Sequence, residues 1–185
     1  MAMTKKELRK YYKAQRANLS TQEIEQAGAI LREKILEKIP PKSNVAIFLP
    51  ISSHSELDLT PLLTNTEYNW YASRSEFTTR TMVFYKIDST TEFEINEWNI
   101  PEPPESGKIS PSEIDVVVIP LLVCDLKGNR IGYGMGFYDN FLALCKESCL
   151  KLGVNYFPPV SSIADVRKDD IQLNVLLTPE KDYIF

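Results

Sequence analysis

The run Asp115–Val123, Asp-Val-Val-Val-Ile-Pro-Leu-Leu-Val, constrains the fold more than any other stretch of the chain. It is β-branched and apolar without alternation, the pattern of a strand buried on both faces. Such strands belong to sheets covered by helices on both sides. The flanking pattern agrees. Thr4-Lys5-Lys6-Glu7 predicts a capping box opening a first helix to about Asn18, and Ser20-Thr21-Gln22-Glu23 opens a second. In the second, Ile24, Ala27, Leu31, Ile35 and Ile39 recur at helical spacing until Pro40-Pro41 stops it. Further strands are predicted at Val45–Leu49, Asn69–Ser73, Thr81–Ile87, Lys151–Asn155 and Leu173–Thr178, and helices over about Asp58–Thr64 and Phe137–Leu150. Pro101–Pro111, rich in Pro, Glu and Ser, is a loop. The alternation of helices and buried strands predicts a single α/β domain over residues 1–185, three layers deep, with a mostly parallel sheet.

Composition removes several mechanisms. His54 is the only histidine, so any histidine triad or multi-histidine metal site would depend on that one residue. Cys124, Cys145 and Cys149 cannot all pair, and a disulfide framework is not expected; a reduced cytoplasmic setting is. Cys145 and Cys149 lie one helical turn apart with no nearby pair of ligands to complete a zinc site, so they are expected to be helix-face packing or inert thiols. No run of about 18 apolar residues is present to cross a membrane, and the polar, basic start lacks the apolar stretch of a signal peptide.

Glycine is scarce, seven in all, yet Gly128, Gly132, Gly134 and Gly136 fall within nine residues directly after the strongest strand. In an open α/β sheet ligands bind beyond the carboxyl ends of the strands. Glycines there let backbone N–H groups approach an anion, and a helix N-terminus favours negative charge. Arg130 within the loop offers a planar fork for phosphate, and Asp139 in the first helical turn can hold a hard cation. The spacing is G-x-G-x-G, which is neither a dinucleotide fingerprint nor a P-loop. A tight strand–helix crossover that needs glycine only for packing remains open.

Lys5, Lys6, Arg9, Lys10, Lys13 and Arg16 stand in the first helix against the single acid Glu7, in a chain whose net charge is −4. Lys5 and Arg9, four apart, share a face and can clamp one anion. A solvated helix face is the plain alternative. The acidic remainder of the chain would repel a nucleic acid.

Taken in order, these motifs resemble the 5-formyltetrahydrofolate cyclo-ligase family, from about Lys5 to Thr178. The matches are Lys5 and Arg9; Phe48-Leu49 followed by Glu56-Leu57-Asp58-Leu59-Thr60; Arg74; Met82; and Trp98-Asn99-Ile100-Pro101-Glu102-Pro103. The most specific is Asn129 to Asp139, Asn-Arg-Ile-Gly-Tyr-Gly-Met-Gly-Phe-Tyr-Asp, and a late aspartate is matched by Asp170.

The resemblance implies a fold similar to that of sugar-phosphate isomerases and CoA transferases. It also implies an ATP- and Mg²⁺-dependent closure of 5-formyltetrahydrofolate to 5,10-methenyltetrahydrofolate. ATP would phosphorylate the formyl oxygen, N10 would attack the activated carbon, and ADP and phosphate would be released. On this reading Arg130 and Asp139 are catalytic. Lys5, Arg9, Arg130, Gly132, Tyr133, Gly134, Met135, Gly136, Phe137 and Tyr138 bind ATP, while Asp139 and Asp170 hold the metal. Leu49, Glu56, Arg74, Trp98, Phe137 and Tyr138 take the reduced folate, with Trp98 and Phe137 flanking the pterin. The partners implied are these small molecules, with no nucleic acid and no membrane, and the chain is expected to be a monomer.

The chain departs from the family pattern at Phe137 (commonly Tyr), Met135, Asn140 (frequently Arg) and Asn174 (frequently Asp). An extra residue precedes Glu56, which leaves the Ser52–Ser55 turn with His54 poorly matched. Two other readings differ in class: an ATP-independent enzyme of the isomerase or CoA-transferase kind, and a non-catalytic nucleotide-binding regulator.

Overall fold

Both predicted capping boxes form. In helix α1 (Lys5–Ala17) the Thr4 hydroxyl accepts from the Glu7 N–H, and the Glu7 carboxylate accepts the Thr4 N–H at 2.8 Å. Helix α2 (Thr21–Lys38) opens on the same device at Ser20 and Glu23 and ends at Ile39, where Pro40 disfavours helical backbone. The computed structural model describes residues 2–185, with Ser52 described by its backbone alone.

Among the described residues eleven strands follow in chain order: β1 (Asn44–Ile47), β2 (Asn69–Glu76), β3 (Thr81–Ile87), β4 (Glu94–Ile95), β5 (Pro101–Glu102), β6 (Val116–Pro120), β7 (Val123–Cys124), β8 (Arg130–Ile131), β9 (Leu150–Val154), β10 (Val175–Leu177) and β11 (Asp182–Ile184). Seven form one sheet in the order β11-β10-β9-β6-β1-β2-β3. Its centre is parallel, and only the two edge pairs, β2–β3 and β10–β11, are antiparallel. The pairs β4–β5 and β7–β8 are separate ribbons.

The pleat divides the apolar runs between two cores. Val45, Ile47, Val116, Val118, Leu152 and Val154 pack with Leu31 and Ile35 of α2 on one face. Ala46, Val117, Ile119 and Leu176 face Phe141 and Leu142 of helix α3 (Phe137–Leu142) on the other. This is the mostly parallel α/β sheet, covered on both sides, that the unalternating strand implied. Among the described residues no helix is long and apolar enough to cross a membrane.

Four elements differ from expectation, the first being that Pro101–Glu102, at the start of the expected Pro101–Pro111 loop, forms β5 and pairs with β4. The Asp115–Val123 run divides: β6 ends at Pro120, which has no N–H to donate, and Val123 pairs instead with Ile131 in the β7–β8 ribbon. The helix expected over Asp58–Thr64 is a 3₁₀ turn at Thr60–Thr64, because the Asp58 carboxylate captures the Thr60 N–H and hydroxyl and Pro61 starts the turn. Helix α3 ends at Leu142 rather than near Leu150. The N–H groups of Leu144 and Cys145 turn back to Phe141 and Leu142, tightening the last turn, and Lys146 then pairs with Asp115. Cys145 and Cys149 are therefore beyond the helix, both as free thiols.

The strand order also places the ligand crevice. From β1 the chain steps to β2 on one side, yet β6 lies on the other, so the connections leaving β1 and β6 diverge. Ligands of open α/β sheets lie at such a switch point.

Candidate functional site

A cleft of about 710 Å³ opens at this switch point, floored by Phe48 and Leu49 after β1 and Pro120 at the end of β6. Helix α1, the glycine loop, the β2–β3 turn, the Trp98 turn and the segment from Asp165 to Asp170 form its walls.

The glycine loop is folded by a buried carboxylate. Asp125 accepts the N–H groups of Lys127, Asn129 and Ile163 and the side-chain amide of Asn129, which closes the turn between β7 and β8. Beyond β8 the loop turns at Gly134, φ +98°, and Gly136, φ +79°, into α3. A side chain is strained at both positions.

One wall is cationic, and each cation is already aimed. The Arg130 guanidinium donates to Asp139 Oδ1 at 2.8 Å and to the Ile171 carbonyl; Asp139 also accepts the Ile171 N–H at 3.1 Å. Lys5 pairs with Asp170, whose carboxylate takes the Arg167 N–H as well. Burial works against the Asp170 charge, but Lys5 and Arg167 outweigh it and hold the carboxyl below the ordinary aspartate range. Arg9 Nε donates to the Gly132 carbonyl at 3.0 Å, joining α1 to the glycine loop.

The opposite wall is aromatic. Trp98 is 56% exposed and stacks on Phe77 with ring centroids 4.8 Å apart. Phe77 in turn meets Phe137 edge-on at 5.1 Å. Deeper in, Leu49 is buried, and Glu56 is buried with Oε2 accepting the Ile51 N–H at 2.9 Å. Burial raises the Glu56 carboxyl above the usual range, against the pull of the Ile51 N–H, the Tyr133 hydroxyl and the Arg16 charge. Burial likewise pushes the phenols of Tyr133 and Tyr138 up, so both stay protonated. Tyr133 stacks on His54 at 4.7 Å and carries the Lys13 ammonium over its ring at 5.1 Å.

The cleft thus brings together Lys5, Arg9, Arg130, the loop from Gly132 to Tyr138, Asp139, Asp170, Leu49, Glu56 and Trp98. Two expectations need correction. Arg74 does not line the cleft: strand alternation turns Ser73 and Ser75 toward it. Arg74 instead donates to the Pro103 carbonyl at 2.8 Å and lies 3.5–3.6 Å from Glu94, Glu102 and Glu105, tying the Trp98 ribbon to β2. Trp98 and Phe137 do not face each other across an open slot, since the Phe77 ring stands between them.

Phe77, Lys6, Lys13 and Arg16 were missed in the sequence. Phe77 had a faint signal as a lone aromatic in the polar turn Glu76–Arg80. Arg16 had none, being one cation among six. No group of three or more His, Cys, Asp or Glu converges into a metal centre among the described residues.

Residues 1–166 match the sequence profile of the 5-formyltetrahydrofolate cyclo-ligase family. A probable 5-formyltetrahydrofolate cyclo-ligase of Schizosaccharomyces pombe is 37% identical over 113 residues, which is 54% of this chain and 54% of that one. The 5-formyltetrahydrofolate cyclo-ligase of Escherichia coli K12 is 30% identical over 147 residues, covering 74% of this chain and 78% of its own. The fold is similar to the NMR structure of the Aquifex aeolicus 5,10-methenyltetrahydrofolate synthetase, with a TM-score of 0.82 at 30% identity over 98% of this chain and 93% of that one. It is also similar to the Mycoplasma pneumoniae synthetase, at 0.74 and 23% identity over 94% and 98%. With the profile spanning nearly the whole chain and the signature from Asn129 to Asp139 lining the cleft, this protein belongs to the 5-formyltetrahydrofolate cyclo-ligase family.

Proposed function

We propose that the chain acts as one unit, a monomer, and uses ATP to close 5-formyltetrahydrofolate to 5,10-methenyltetrahydrofolate in this cleft. The observation that carries the reading is the opposition of the two walls. A cationic wall of Lys5, Arg9 and Arg130 suits a polyphosphate, and an aromatic wall of Trp98, Phe77 and Phe137 suits a flat heterocycle; both open into one space. The formyl oxygen attacks the γ-phosphorus, forming the O–P bond as the bond to the β–γ bridging oxygen breaks and ADP leaves with that electron pair. N10 then attacks the activated carbon and loses its proton. The C–O bond to phosphate breaks, phosphate departs with the pair, and the amidinium spans N5 and N10.

Phosphoryl transfer needs positioning and charge neutralisation more than a base, which the three cations supply. Arg130 lines the cleft and is held in place by Asp139 and the Ile171 carbonyl, so its charge is pre-positioned there. Glu56 accepts from the polar edge of the pterin, while Leu49 and Phe137 exclude water from its faces. Asp139, which accepts the N–H of Ile171, and Asp170, the residue before Ile171, would serve as partial ligands, since Mg²⁺ takes one or two carboxylates with phosphate oxygens and water. The ion would neutralise phosphate charge. The free thiols favour a reducing compartment such as the cytoplasm.

The test is absorbance at the methenyl-folate band with purified protein, ATP, Mg²⁺ and 5-formyltetrahydrofolate. Growth of the band that depends on ATP, with matching ADP, supports the reading. Nucleotide binding without the band identifies a regulator, and product formed without ATP identifies an ATP-independent enzyme.

A further inference from the structure

We propose that Arg16 is a positioning residue of this cleft, acting from beneath its floor to hold the glycine-loop Tyr133 and to keep the Glu56 carboxylate charged for its ligand. Resting on the folate reading above, it assigns a role to a residue outside every ligand set. Arg16 ends α1 and is only 4% exposed, while Glu56 is 8% exposed. The guanidinium donates to the Leu121 carbonyl just past β6 and to the Tyr133 hydroxyl at 3.3 Å. It lies 3.4 Å from Asn155 Oδ1 just past β9. It therefore joins α1, the sheet and the glycine loop at one point.

A buried cation is costly unless paired, yet no carboxylate lies within ion-pair distance of Arg16 among the described residues. Its Nε–H and the Tyr156 hydroxyl are buried without a protein partner. Arg16, Tyr156 and Glu56 all line one cavity of about 10 Å³ below the cleft. The Arg16 guanidinium also lies over the Tyr156 ring, 5.6 Å from the centroid. Glu56 lines the same cavity and carries the opposite charge that acts on Arg16.

The groups facing Glu56 come from every neighbouring element: Arg16 from α1, His54 from its own turn, Tyr133 from the glycine loop, Tyr138 from α3 and Tyr156 after β9. Burial keeps the three phenols protonated, Tyr156 being pushed up to about 12. Arg16 is thus the permanent charge in the set. Removing it takes away one of the pulls that oppose burial, beside the Ile51 N–H, the Tyr133 hydroxyl and His54, and shifts Glu56 toward its neutral form, which loses an acceptor for the pterin.

The experiment has two arms. In ligand-free protein labelled with ¹³C at glutamate carboxyls, the Glu56 resonance, assigned by its loss in Glu56→Gln, is titrated. Arg16→Gln raises its midpoint above the wild-type value, and Arg16→Lys leaves it at the wild-type value. Repeating the titration with His54→Gln added separates the histidine's contribution. In the turnover arm, Arg16→Gln raises the KM for 5-formyltetrahydrofolate at neutral pH, and the defect shrinks as pH rises. A purely structural role leaves a defect that pH does not rescue. An unmoved midpoint, or a KM defect independent of pH, overturns the proposal. Should Arg16→Gln fail to fold, the same titration on the charge-removing, similarly shaped Arg16→Met decides: a raised midpoint supports the proposal and an unmoved one overturns it. If the wild type shows no turnover at all, the folate reading falls while the carboxyl titration still decides Arg16.

Discussion

Gly132 and Gly134 sit two residues apart in the same loop, yet alanine at the two positions is predicted to have opposite effects on stability. Gly134 has φ +98°, and a Cβ there would lie 3.1 Å from Arg9 Nη2 and 3.2 Å from Arg9 Cζ. The contact falls on the end of a flexible side chain and relaxes at small cost, so backbone strain dominates, about 1–2 kcal/mol. Gly132 has no positive φ, and a Cβ there meets nothing within 4 Å. Alanine at Gly132 restricts the unfolded chain and contributes about 0.4–1 kcal/mol of stability. The two variants should therefore differ by about 1.5–3 kcal/mol, or several degrees in Tm. Urea unfolding followed by the fluorescence of buried Trp70 measures the gap. Nucleotide binding gives a second, independent outcome. Gly134→Ala displaces Arg9 from the Gly132 carbonyl, whereas alanine at Gly132 projects into the cleft, so both variants should raise the KM for ATP. Equal stability of the two variants, or a destabilised Gly132→Ala, would show that the loop does not depend on left-handed backbone at Gly134.

Three further outcomes follow from the walls of the cleft. Binding of 5-formyltetrahydrofolate should quench tryptophan fluorescence, with the quench lost in Trp98→Ala and kept in Trp70→Phe; the reverse pattern would move the pterin elsewhere. Arg74→Gln should loosen the Trp98 ribbon by leaving the buried Glu102 without its cation, raising the folate KM with little change in the ATP KM; an equal effect on both would refute its role as a tether. Because the Asp170 carboxyl is held below its unfolded value, its contribution to stability is complete above about pH 4 and is lost as pH falls through the lower folded value. Acid unfolding of Asp170→Asn should accordingly be less steep below pH 4 than that of the wild type, and identical acid limbs would show that the Lys5 pair contributes nothing.

Elements governed by local chemistry were legible in the sequence. Thr4 with Glu7 and Ser20 with Glu23 mark helix starts because a side chain satisfies backbone N–H groups three residues away, whatever lies beyond. The unalternating Val116–Ile119 run implied a covered parallel sheet because both its faces must be apolar. The residues from Asn129 to Asp139 located the site, since glycine clusters only where backbone geometry requires it. Helix lengths were less legible: α3 stops at Leu142, and Lys146 beyond it pairs with Asp115, 31 residues earlier, a partner no local window contains.

The sequence alone therefore determined the layered α/β class, the helix starts, the glycine loop and the family to which it belongs. Only the tertiary structure decided which way each charged or aromatic side chain points. Arg74 faces away from the cleft because β2 begins its pairing at Asn69, and a one-residue change of register would have turned it inward. Phe77 lies between Trp98 and Phe137 because a hairpin turn and a proline-rich ribbon, twenty residues apart, pack together. Arg16 is buried while Lys13, three residues before it, reaches the cleft, because α1 lays one face on Leu121 and Asn155. Local propensity depends on neighbours in the chain, whereas side-chain direction at a site depends on neighbours in space, and these meet only when the sheet closes.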